Sequence, residues 1–538
     1  MDATLRRAGY AVLIVLLGAV AWLHLVGKID LATADLGRHI RNGELAVLQH
    51  KIIDDNYYAY TYPEFRTECH HWGIGVIFYL LWRSTGFFGL SIFYGALLFA
   101  TLALFTWSAV RSSSLMAALL AAAFALPLLG YRTEIRPEGV STFCLALLFF
   151  LLNEYRSGRI GGRWLWIIPA LQLFWVNVHI LFFTGIAVTG FFALDAWLNE
   201  GTGPRLKLLL GVLAASVAVA FINPFGVSGA LEPLTIFRVY GYRLAENQNV
   251  LFMIKRFPGR TIYAYFLMVF AAAMFLFALK SVGDRGWRRS VLHFLLLAFF
   301  GLMAAKAVRA IAMFGFFFIP LAAENIEGAI GRLGGRPAKL LRRGLAATAA
   351  IAILLAAATP YFMLSPVRKY ASLIDDKRYG NSLFYILARP SIWAGLSPGV
   401  NASAEFFKAQ GLKGPVFNNY DLGGYFIFHL FPGERPFVDN RPEAYPVDFF
   451  QKTYGPMQED EKVWDEVSRK YGFQVIYFYR HDMTNWGQPF LIRRLADPQW
   501  APVFVDGYCL VLAKRGGANQ GVIDKFELPK DIFRIRKN

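Results

Sequence analysis

The sequence predicts an α-helical polytopic membrane protein with a small α/β domain near its C-terminus. The chain has 538 residues, of which 56% are hydrophobic and 17% are charged, against roughly a quarter charged in an average soluble domain. Apolar segments long enough to span a bilayer recur up to about residue 362. Beyond residue 400 the hydrophobicity falls and alternating patterns typical of strands appear. These observations exclude a soluble enzyme and a disordered protein.

The apolar segments number about eleven. The first one follows Arg6 and Arg7, and it is longer than the core of a signal peptide and precedes no small-residue cleavage site. We therefore expect it to remain in the chain as a transmembrane helix. The predicted spans lie at 9–28, 87–110, 114–130, 138–153, 164–177, 179–197, 207–223, 260–279, 289–305, 307–323 and 343–362.

The basic residues predict the orientation of the chain. Lysine and arginine cluster before the first span and in four loops that alternation of the spans places on the same side, at 156–163, 205–207, 280–289 and 332–343. Because basic loops face the cytoplasm, we expect a cytoplasmic N-terminus and an extracytoplasmic C-terminal domain. The net charge of +18 then reflects topology, and nucleic acid is not an expected partner.

These patterns divide the chain into four parts. We expect a transmembrane module at 1–363 with a long first outer loop at 29–71, a linker at 364–399, an α/β domain at 400–515 and a tail at 516–538. Within the α/β domain the sequence predicts strands at 415–418, 435–439 and 474–479, a helix at 459–471, and a hairpin of strands 501–505 and 508–513 around Asp506–Gly507.

Polar side chains gather at the predicted outer ends of the spans, where ionisable groups are candidates for function. Asp35 follows the first span on an amphipathic stretch, and it is either a helix N-cap or a carboxylate that acts as a base or metal ligand. One outer turn carries four charges in seven residues, which form internal ion pairs or a phosphate or metal site. They are Arg132, Glu134, Arg136 and Glu138.

Lys306 and Arg309 are spaced one helical turn apart, so we expect them on one helix face. The pair either extends to the membrane interface or binds an anion such as a lipid phosphate, which would offset the repulsion between the two charges. The other candidates for substrate binding are His71, Asn177, His179 and Glu246. Asn177 and His179 also suit polar contacts between helices.

Several segments are similar to a known family. The stretches DLGRHIRNGE, YYAYTYP and HHWGIGVIFYLL resemble the first outer loop of a bacterial branch of the GT-C glycosyltransferase superfamily, and so do LQLFWVNVH, FINPFG, AENQN and AVRAIAMFGFFFIP further along. The tail segment NNYDLGGYFIFHLFPGERPFVDNR is similar to a motif of that branch. The resemblance covers residues 29 to 515. The chain departs from the pattern at Asn440, where glycine is usual, and at Gly37, where an aromatic residue is common.

The resemblance implies a GT-C-like transferase in the bacterial inner (plasma) membrane, surrounded by membrane lipid. Such an enzyme moves a sugar from a polyprenyl-phosphate carrier to a glycan, lipid or protein acceptor on the outer face. Asp35 corresponds to the loop carboxylate that acts as base or metal ligand, and Arg309 with Lys306 corresponds to the groups that assist departure of the phosphate. A divalent cation (Mg²⁺ or Mn²⁺), if one is used, is expected at Glu134 and Glu138, and no other cofactor is expected.

The alternative is a transporter or a lipid-binding protein without enzymatic activity. A transporter is expected to carry charged residues near the bilayer midplane and to consist of repeated halves. In this sequence the charges gather at one interface and no repeat is evident.

Overall fold

The computed structural model describes residues 3–236, 240–282, 287–364 and 394–533. Most of the predicted linker at 364–399 and the last five residues of the predicted tail lie outside these ranges. The helices, in chain order, are α1 (Ala3–Leu25), α2 (Leu36–Gln49), α3 (Trp72–Ser112), α4 (Leu115–Gly130), α5 (Pro137–Arg156), α6 (Ile167–Val176), α7 (Phe183–Glu200), α8 (Pro204–Val219), α9 (Val227–Thr235), α10 (Val250–Arg256), α11 (Ile262–Ser281), α12 (Val291–Lys306), α13 (Ile311–Leu333), α14 (Gly335–Leu364), α15 (Ala402–Ala409), α16 (Gly423–Leu430), α17 (Pro456–Glu459), α18 (Glu461–Tyr471), α19 (Gly487–Ala496) and α20 (Gln520–Phe526). The strands are β1 (Val416–Asn418), β2 (Val475–Tyr479), β3 (Trp500–Val505) and β4 (Cys509–Lys514).

The helices confirm a polytopic membrane protein. Among the described residues, seven helical segments are long and apolar enough to cross a bilayer: Arg7–Leu25, Trp72–Ser112, Pro137–Arg156, Ile180–Glu200, Ile262–Ser281, Val308–Leu333 and Gly335–Ala357. Each of the eleven predicted apolar segments coincides with a helix, although α4, α6, α8 and α12 are shorter than 18 residues. The number of helices that cross the membrane therefore stays a prediction.

Contacts divide the chain into two compact units that differ from the predicted domains. The first unit comprises Met1–Gly27, Ser91–Ile222 and Leu244–Ala394. The second comprises Lys28–Leu90, Asn223–Arg243 and Gly395–Asn538. The first outer loop at 29–71, which the sequence assigns to the transmembrane module, thus shares a unit with the C-terminal α/β domain.

Helix α13 forms the centre of the first unit. It packs against α4, α11, α12 and α14, and most of its residues are buried. The ring of Phe317 stacks on that of Phe300 at 3.9 Å between centroids, and Phe105 packs against Phe317 at 5.0 Å. The first part of α13, residues 311–323, carries only apolar residues and glycine, as expected for a helix segment at such a central position.

A four-stranded sheet of order β1-β2-β4-β3 forms the centre of the second unit. Strands β1 and β2 are parallel, and the other two pairs are antiparallel. The predicted hairpin of β3 and β4 is confirmed. Asp506 closes its turn, because the Asp506 carboxylate accepts hydrogen bonds from the backbone N–H groups of Tyr508 and Cys509, both at 2.7 Å.

The strand predicted at 435–439 is wrong. The side chain of Asn418 replaces a strand neighbour there: its Oδ1 accepts from the backbone N–H of Phe437 at 2.8 Å, and its Nδ2 donates to the carbonyl of Val438 at 2.7 Å. The first outer loop satisfies further backbone groups, since the N–H of Tyr60 donates to the carbonyl of Pro436 at 3.2 Å. The segment is extended and buried, but its partners are side chains and a loop.

The same contacts explain why the first outer loop belongs to the second unit. The hydroxyl of Tyr60 donates to the carbonyl of Val416 in β1 at 2.9 Å. Arg441 donates to Asn56 at 3.0 Å and lies over the ring of Tyr58, with 5.6 Å between the guanidinium carbon and the ring centroid. Helix α2 packs against α16. The loop and the C-terminal segments therefore share one core.

Candidate functional site

Asp35 lies in the second unit at the position that precedes α2. It occupies the N-cap position, but its side chain makes no capping hydrogen bond. Instead its Oδ1 accepts a hydrogen bond from the side-chain Nδ2 of Asn440. The N-cap interpretation therefore does not account for this aspartate, and its carboxylate faces a residue of the C-terminal domain.

Polar groups from both parts of the second unit surround Asp35. Arg38 is buried and its Nε donates to Oδ1 of Asn440 at 3.1 Å. Tyr420 lies within electrostatic reach of Asp35 and of Glu443. Burial raises the pKa of the Glu443 carboxyl, although the nearby charges of Arg38 and Arg441 act in the opposite direction. This part of the second unit thus holds a buried cation, Arg38, and a carboxyl with a raised pKa, Glu443.

His71, a predicted substrate-binding residue, also lies in the second unit. It is half-buried among other imidazoles, with ring centroids 4.0 Å from His70 and 5.4 Å from His39. Such a group can bind polar substrate atoms or carry protons.

The charged outer turn forms a cluster in the first unit, together with a residue far away in sequence. Arg132 donates from Nη2 to Glu138 at 3.0 Å and to Glu246 at 2.8 Å. Arg136 donates from Nη1 to the same oxygen of Glu246 at 3.1 Å and from Nε to Glu134 at 3.0 Å. Glu246 therefore joins two arginines of the turn.

Arg309 belongs to the same cluster. Its Nη2 donates to Glu138 at 2.6 Å and its Nη1 to the side-chain oxygen of Asn247 at 3.0 Å. The expected shared helix face of Lys306 and Arg309 is wrong. Helix α12 ends at Lys306, Ala307 is extended, and Arg309 lies in a separate 3₁₀ turn. The carboxylate partner of Arg309 is Glu138, which is 171 residues away in the chain, while Lys306 is exposed.

The electrostatics of the cluster favour charged groups throughout. Burial alone would raise the pKa of Glu246, but the positive charges of Arg132, Arg136 and Arg309 lower it to about 2. Burial acts to lower the pKa of Arg132, and the charge of Glu246 outweighs it, so the net shift is upward. Three guanidinium groups contact two largely buried carboxylates, those of Glu138 and Glu246. The third carboxylate, Glu134, is 62% exposed and is not counted with them. Among the described residues, the buried part of the cluster thus contains three guanidinium groups and two carboxylates, a balance that suits an anionic ligand.

The predicted metal ligands do not fit a divalent cation. Both arginines beside Glu138 already neutralise its carboxylate, and Glu134 is exposed and paired with Arg136. Among the residues that the structure describes, no group of three histidine, cysteine, aspartate or glutamate side chains is placed to hold a metal ion.

Asn177 and His179 lie in the first unit and connect helices. The side chain of Asn177 donates to the carbonyls of Leu173 at 2.9 Å and Ile222 at 3.0 Å. The buried His179 shares a hydrogen bond of 2.6 Å with Ser141. His179 is also close enough to Glu138 for their charges to interact. His179 therefore borders the charged cluster.

Comparison with solved structures shows which fold this is. The chain is similar to ArnT from Cupriavidus metallidurans bound to undecaprenyl phosphate, with a TM-score of 0.51 and 13% identity over 98% of this chain and 100% of that one. The chain has the GT-C fold. It is also similar to the Archaeoglobus fulgidus oligosaccharyltransferase tethered with an acceptor peptide, with a TM-score of 0.54 and 11% identity over 94% of this chain and 74% of that one. No family model and no curated protein matches the sequence.

The structure groups the predicted site residues into two sets. Asp35 and His71 lie in the second unit, and the other set lies in the first unit: Arg132, Glu134, Arg136, Glu138, Asn177, His179, Glu246, Lys306 and Arg309. Sequence reasoning missed the roles of Arg38 and Asn440 beside Asp35. Two signals pointed to them: Arg38 is basic in an outer loop, against the positive-inside rule, and Asn440 stands where the GT-C pattern has glycine.

Proposed function

We propose that this protein is a glycosyltransferase that moves a sugar from a polyprenyl-phosphate carrier to an acceptor on the outer face of a bacterial inner membrane. The observation that carries the proposal is the GT-C fold, which this chain shares over 98% of its length with a protein solved bound to undecaprenyl phosphate. A cytoplasmic N-terminus and an extracytoplasmic C-terminal domain belong to the same proposal, on the strength of the basic loops.

In the proposed reaction an oxygen of the acceptor attacks the anomeric carbon of the sugar. The bond from that carbon to the carrier phosphate breaks, and its electron pair leaves with the phosphate. Asp35 removes the proton of the acceptor hydroxyl, as a general base. Its contacts support this role, because the carboxylate makes no helix cap and is held by Asn440 instead.

The charged cluster of the first unit is the proposed binding site for the carrier phosphate. Arg309, Arg132 and Arg136 are held in fixed positions by carboxylates and retain a net positive charge with them. Preorganised cations of this kind stabilise the charge that develops on a departing phosphate. Lys306 is exposed and adds a cation three residues before Arg309 in the chain. Glu246 serves here to position arginines, so its predicted role in substrate binding is indirect.

The test is Asp35→Asn in the full-length purified protein, supplied with undecaprenyl phosphate carrying a radiolabelled sugar, from a panel of common sugars. We expect the variant to retain the wild-type thermal midpoint and to lose sugar transfer by about 10²- to 10⁴-fold, as is typical for loss of a general base. Asp30→Asn is the matched control, because Asp30 also follows the first span but bonds to the backbone N–H of Ala32 at 3.2 Å. Undiminished transfer by a stable Asp35→Asn protein would refute the assignment of the base.

A further inference from the structure

Asn440, in the C-terminal part of the second unit, contacts the candidate base Asp35, which lies in the first outer loop. We propose, on the basis of the proposed function, that Asn440 is a positioning residue for Asp35 and that the C-terminal α/β domain thereby forms part of the active site. Asn440 stands where the motif that the sequence resembles usually has glycine.

The side-chain amide of Asn440 makes two different contacts. Its Nδ2 donates to Oδ1 of Asp35, and its Oδ1 accepts from Nε of Arg38 at 3.1 Å. The amide therefore connects the carboxylate and the guanidinium group in one chain of hydrogen bonds. A neutral amide that donates to a carboxylate fixes its rotation and favours its charged form without adding a full charge. Glycine at this position has no side chain and can make neither bond.

Close helix packing brings Asn440 within reach of Asp35. A Cβ atom on Gly37 in α2 would lie 2.7 Å from the carbonyl oxygen of Gly424, so the two backbones approach more closely than side chains allow. A Cβ atom on Gly424 would lie 2.8 Å from the carbonyl oxygen of Ala34 and 3.1 Å from Nδ2 of Asn440. The glycines at 37 and 424 thus leave the space that the Asn440 side chain and the Asp35 loop occupy.

The neighbours of Asn440 in the chain fix its backbone. Arg441 forms an almost fully buried ion pair with Asp439, with hydrogen bonds of 2.9 Å from Nε and 2.7 Å from Nη2. The backbone N–H of Asp439 donates to the hydroxyl of Tyr445 at 2.8 Å. Arg441 also donates to Asn56 of the first outer loop at 3.0 Å. The amide of Asn440 therefore projects from a rigid segment that is bonded to the loop carrying Asp35.

The groups that face Asp35 come from both segments. Arg38 lies in α2, the helix that Asp35 precedes, and Asn440 and Tyr420 belong to the C-terminal part. The side chain of Asn440 bonds to both Asp35 and Arg38. Its removal should misplace the base and leave the carrier-phosphate cluster of the first unit unaffected, because no residue of that cluster belongs to the second unit.

The experiment measures sugar transfer by the full-length protein with a lipid-linked donor that the wild type accepts. We expect Asn440→Ala to lower kcat by about 10- to 100-fold, as a small misplacement of a catalytic group does, with the donor KM within twofold of wild type. Asn440→Asp places a second carboxylate beside Asp35, and like charges favour protonation. The acidic limb of its pH–rate profile should therefore move upward by about one pH unit.

Two further variants distinguish positioning from general loss of structure. In the Asp35→Asn background, Asn440→Ala should cause no additional loss, because the residue acts through the carboxylate. Asn519→Ala is the matched control: this buried asparagine bonds to the backbone of Lys413 through both its amide atoms at 2.9 Å. It should lower the thermal midpoint and leave kcat and the pH profile unchanged.

The results separate this inference from the proposed function. Wild-type kcat in Asn440→Ala would overturn the inference, and so would an equal further loss in the Asp35→Asn background. A fall in kcat for Asn519→Ala as large as that for Asn440→Ala, at the same thermal midpoint, would overturn it too. A wild-type protein that transfers no sugar from any lipid-linked donor contradicts the proposed function instead.

Discussion

Glu246 is the carboxylate that joins the charged cluster, and its replacement by glutamine tests how that cluster is stabilised. Glu246 accepts hydrogen bonds from Arg132 and Arg136, and Arg309 lies 3.5 Å away. Each hydrogen bond to a charged group contributes about 1.5–3 kcal/mol, and a neutral bond that glutamine retains contributes about 1 kcal/mol. Breaking a buried pair typically costs about 3–5 kcal/mol. We therefore expect Glu246→Gln to lower the free energy of unfolding by about 3 kcal/mol.

The assay is thermal unfolding of the purified protein in detergent, where we expect the midpoint to fall by on the order of 5 °C. Glu134→Gln is the matched control. Glu134 bonds to Arg136 at 3.0 Å, but it is 62% exposed, and an exposed pair contributes at most about 1 kcal/mol. A Glu246→Gln protein as stable as Glu134→Gln would refute the view that the three arginines depend on Glu246 for a buried counter-charge.

The difference in thermal midpoint between wild type and Glu246→Gln should also depend on pH, which tests the role of Glu246 a second time. The folded pKa of Glu246, about 2, lies below the ordinary value of the unfolded chain, so its contribution is fully present above the unfolded pKa. It is lost as the pH falls toward the folded pKa. The gap in thermal midpoint between wild type and Glu246→Gln should therefore be constant from pH 8 to 6 and shrink below about pH 4.5. A gap that widens on acidification contradicts the assigned direction of the pKa shift.

Three further predictions concern the phosphate site, the orientation and the second unit. Arg309→Ala should reduce sugar transfer by about 10²- to 10³-fold, and Arg309→Lys should restore part of it because lysine lacks the planar fork; normal turnover in Arg309→Ala would contradict a phosphate contact. In a background without the native cysteines, a membrane-impermeant maleimide should label Glu459→Cys, which is exposed beside the buried Gln458, and should spare Arg336→Cys at the start of α14. The reverse pattern would contradict the predicted orientation. Burial, with Lys408 and Arg41 nearby, lowers the pKa of His429 to about 3. The unfolded state therefore gains a proton below about pH 6.5 that the folded state does not, so wild type should lose stability relative to His429→Gln between pH 7 and 5. Equal pH dependence of the two thermal midpoints would exclude a buried neutral histidine.

Local sequence patterns predicted most of the secondary structure correctly. The apolar segments became helices, and the Asp506–Gly507 turn closed a hairpin, because both depend on residues close together in the chain. The segment 435–439 has a strand-like pattern, yet its partners are Asn418 and the first outer loop. A strand-like pattern indicates a buried segment with an extended backbone, but it does not identify which groups form hydrogen bonds with that backbone.

The candidate site was predictable in its residues more than in its contacts. Composition and position singled out Asp35 and Arg309. Their partners stayed hidden because the hydrogen bonds span long stretches of chain: Asn440 is 405 residues from Asp35, and Glu138 is 171 residues from Arg309. The break at Ala307 lies at the boundary between the predicted spans 289–305 and 307–323, and the shared helix face expected for Lys306 and Arg309 neglected that boundary.

The shared core of the first outer loop and the C-terminal segment has a consequence for biosynthesis. Residues 28–90 leave the ribosome early, yet Asn56 and Tyr58 meet Arg441, and Tyr60 meets Pro436. At about 5–20 residues per second, this leaves the loop waiting on the order of 20 to 80 seconds for its partners. During that interval the apolar and polar side chains of the loop lack their native packing and hydrogen-bond partners, and the loop needs protection from aggregation and proteolysis. A transcript cut short before residue 436 would yield a chain that retains the membrane helices and carries Asp35 on an unfinished loop.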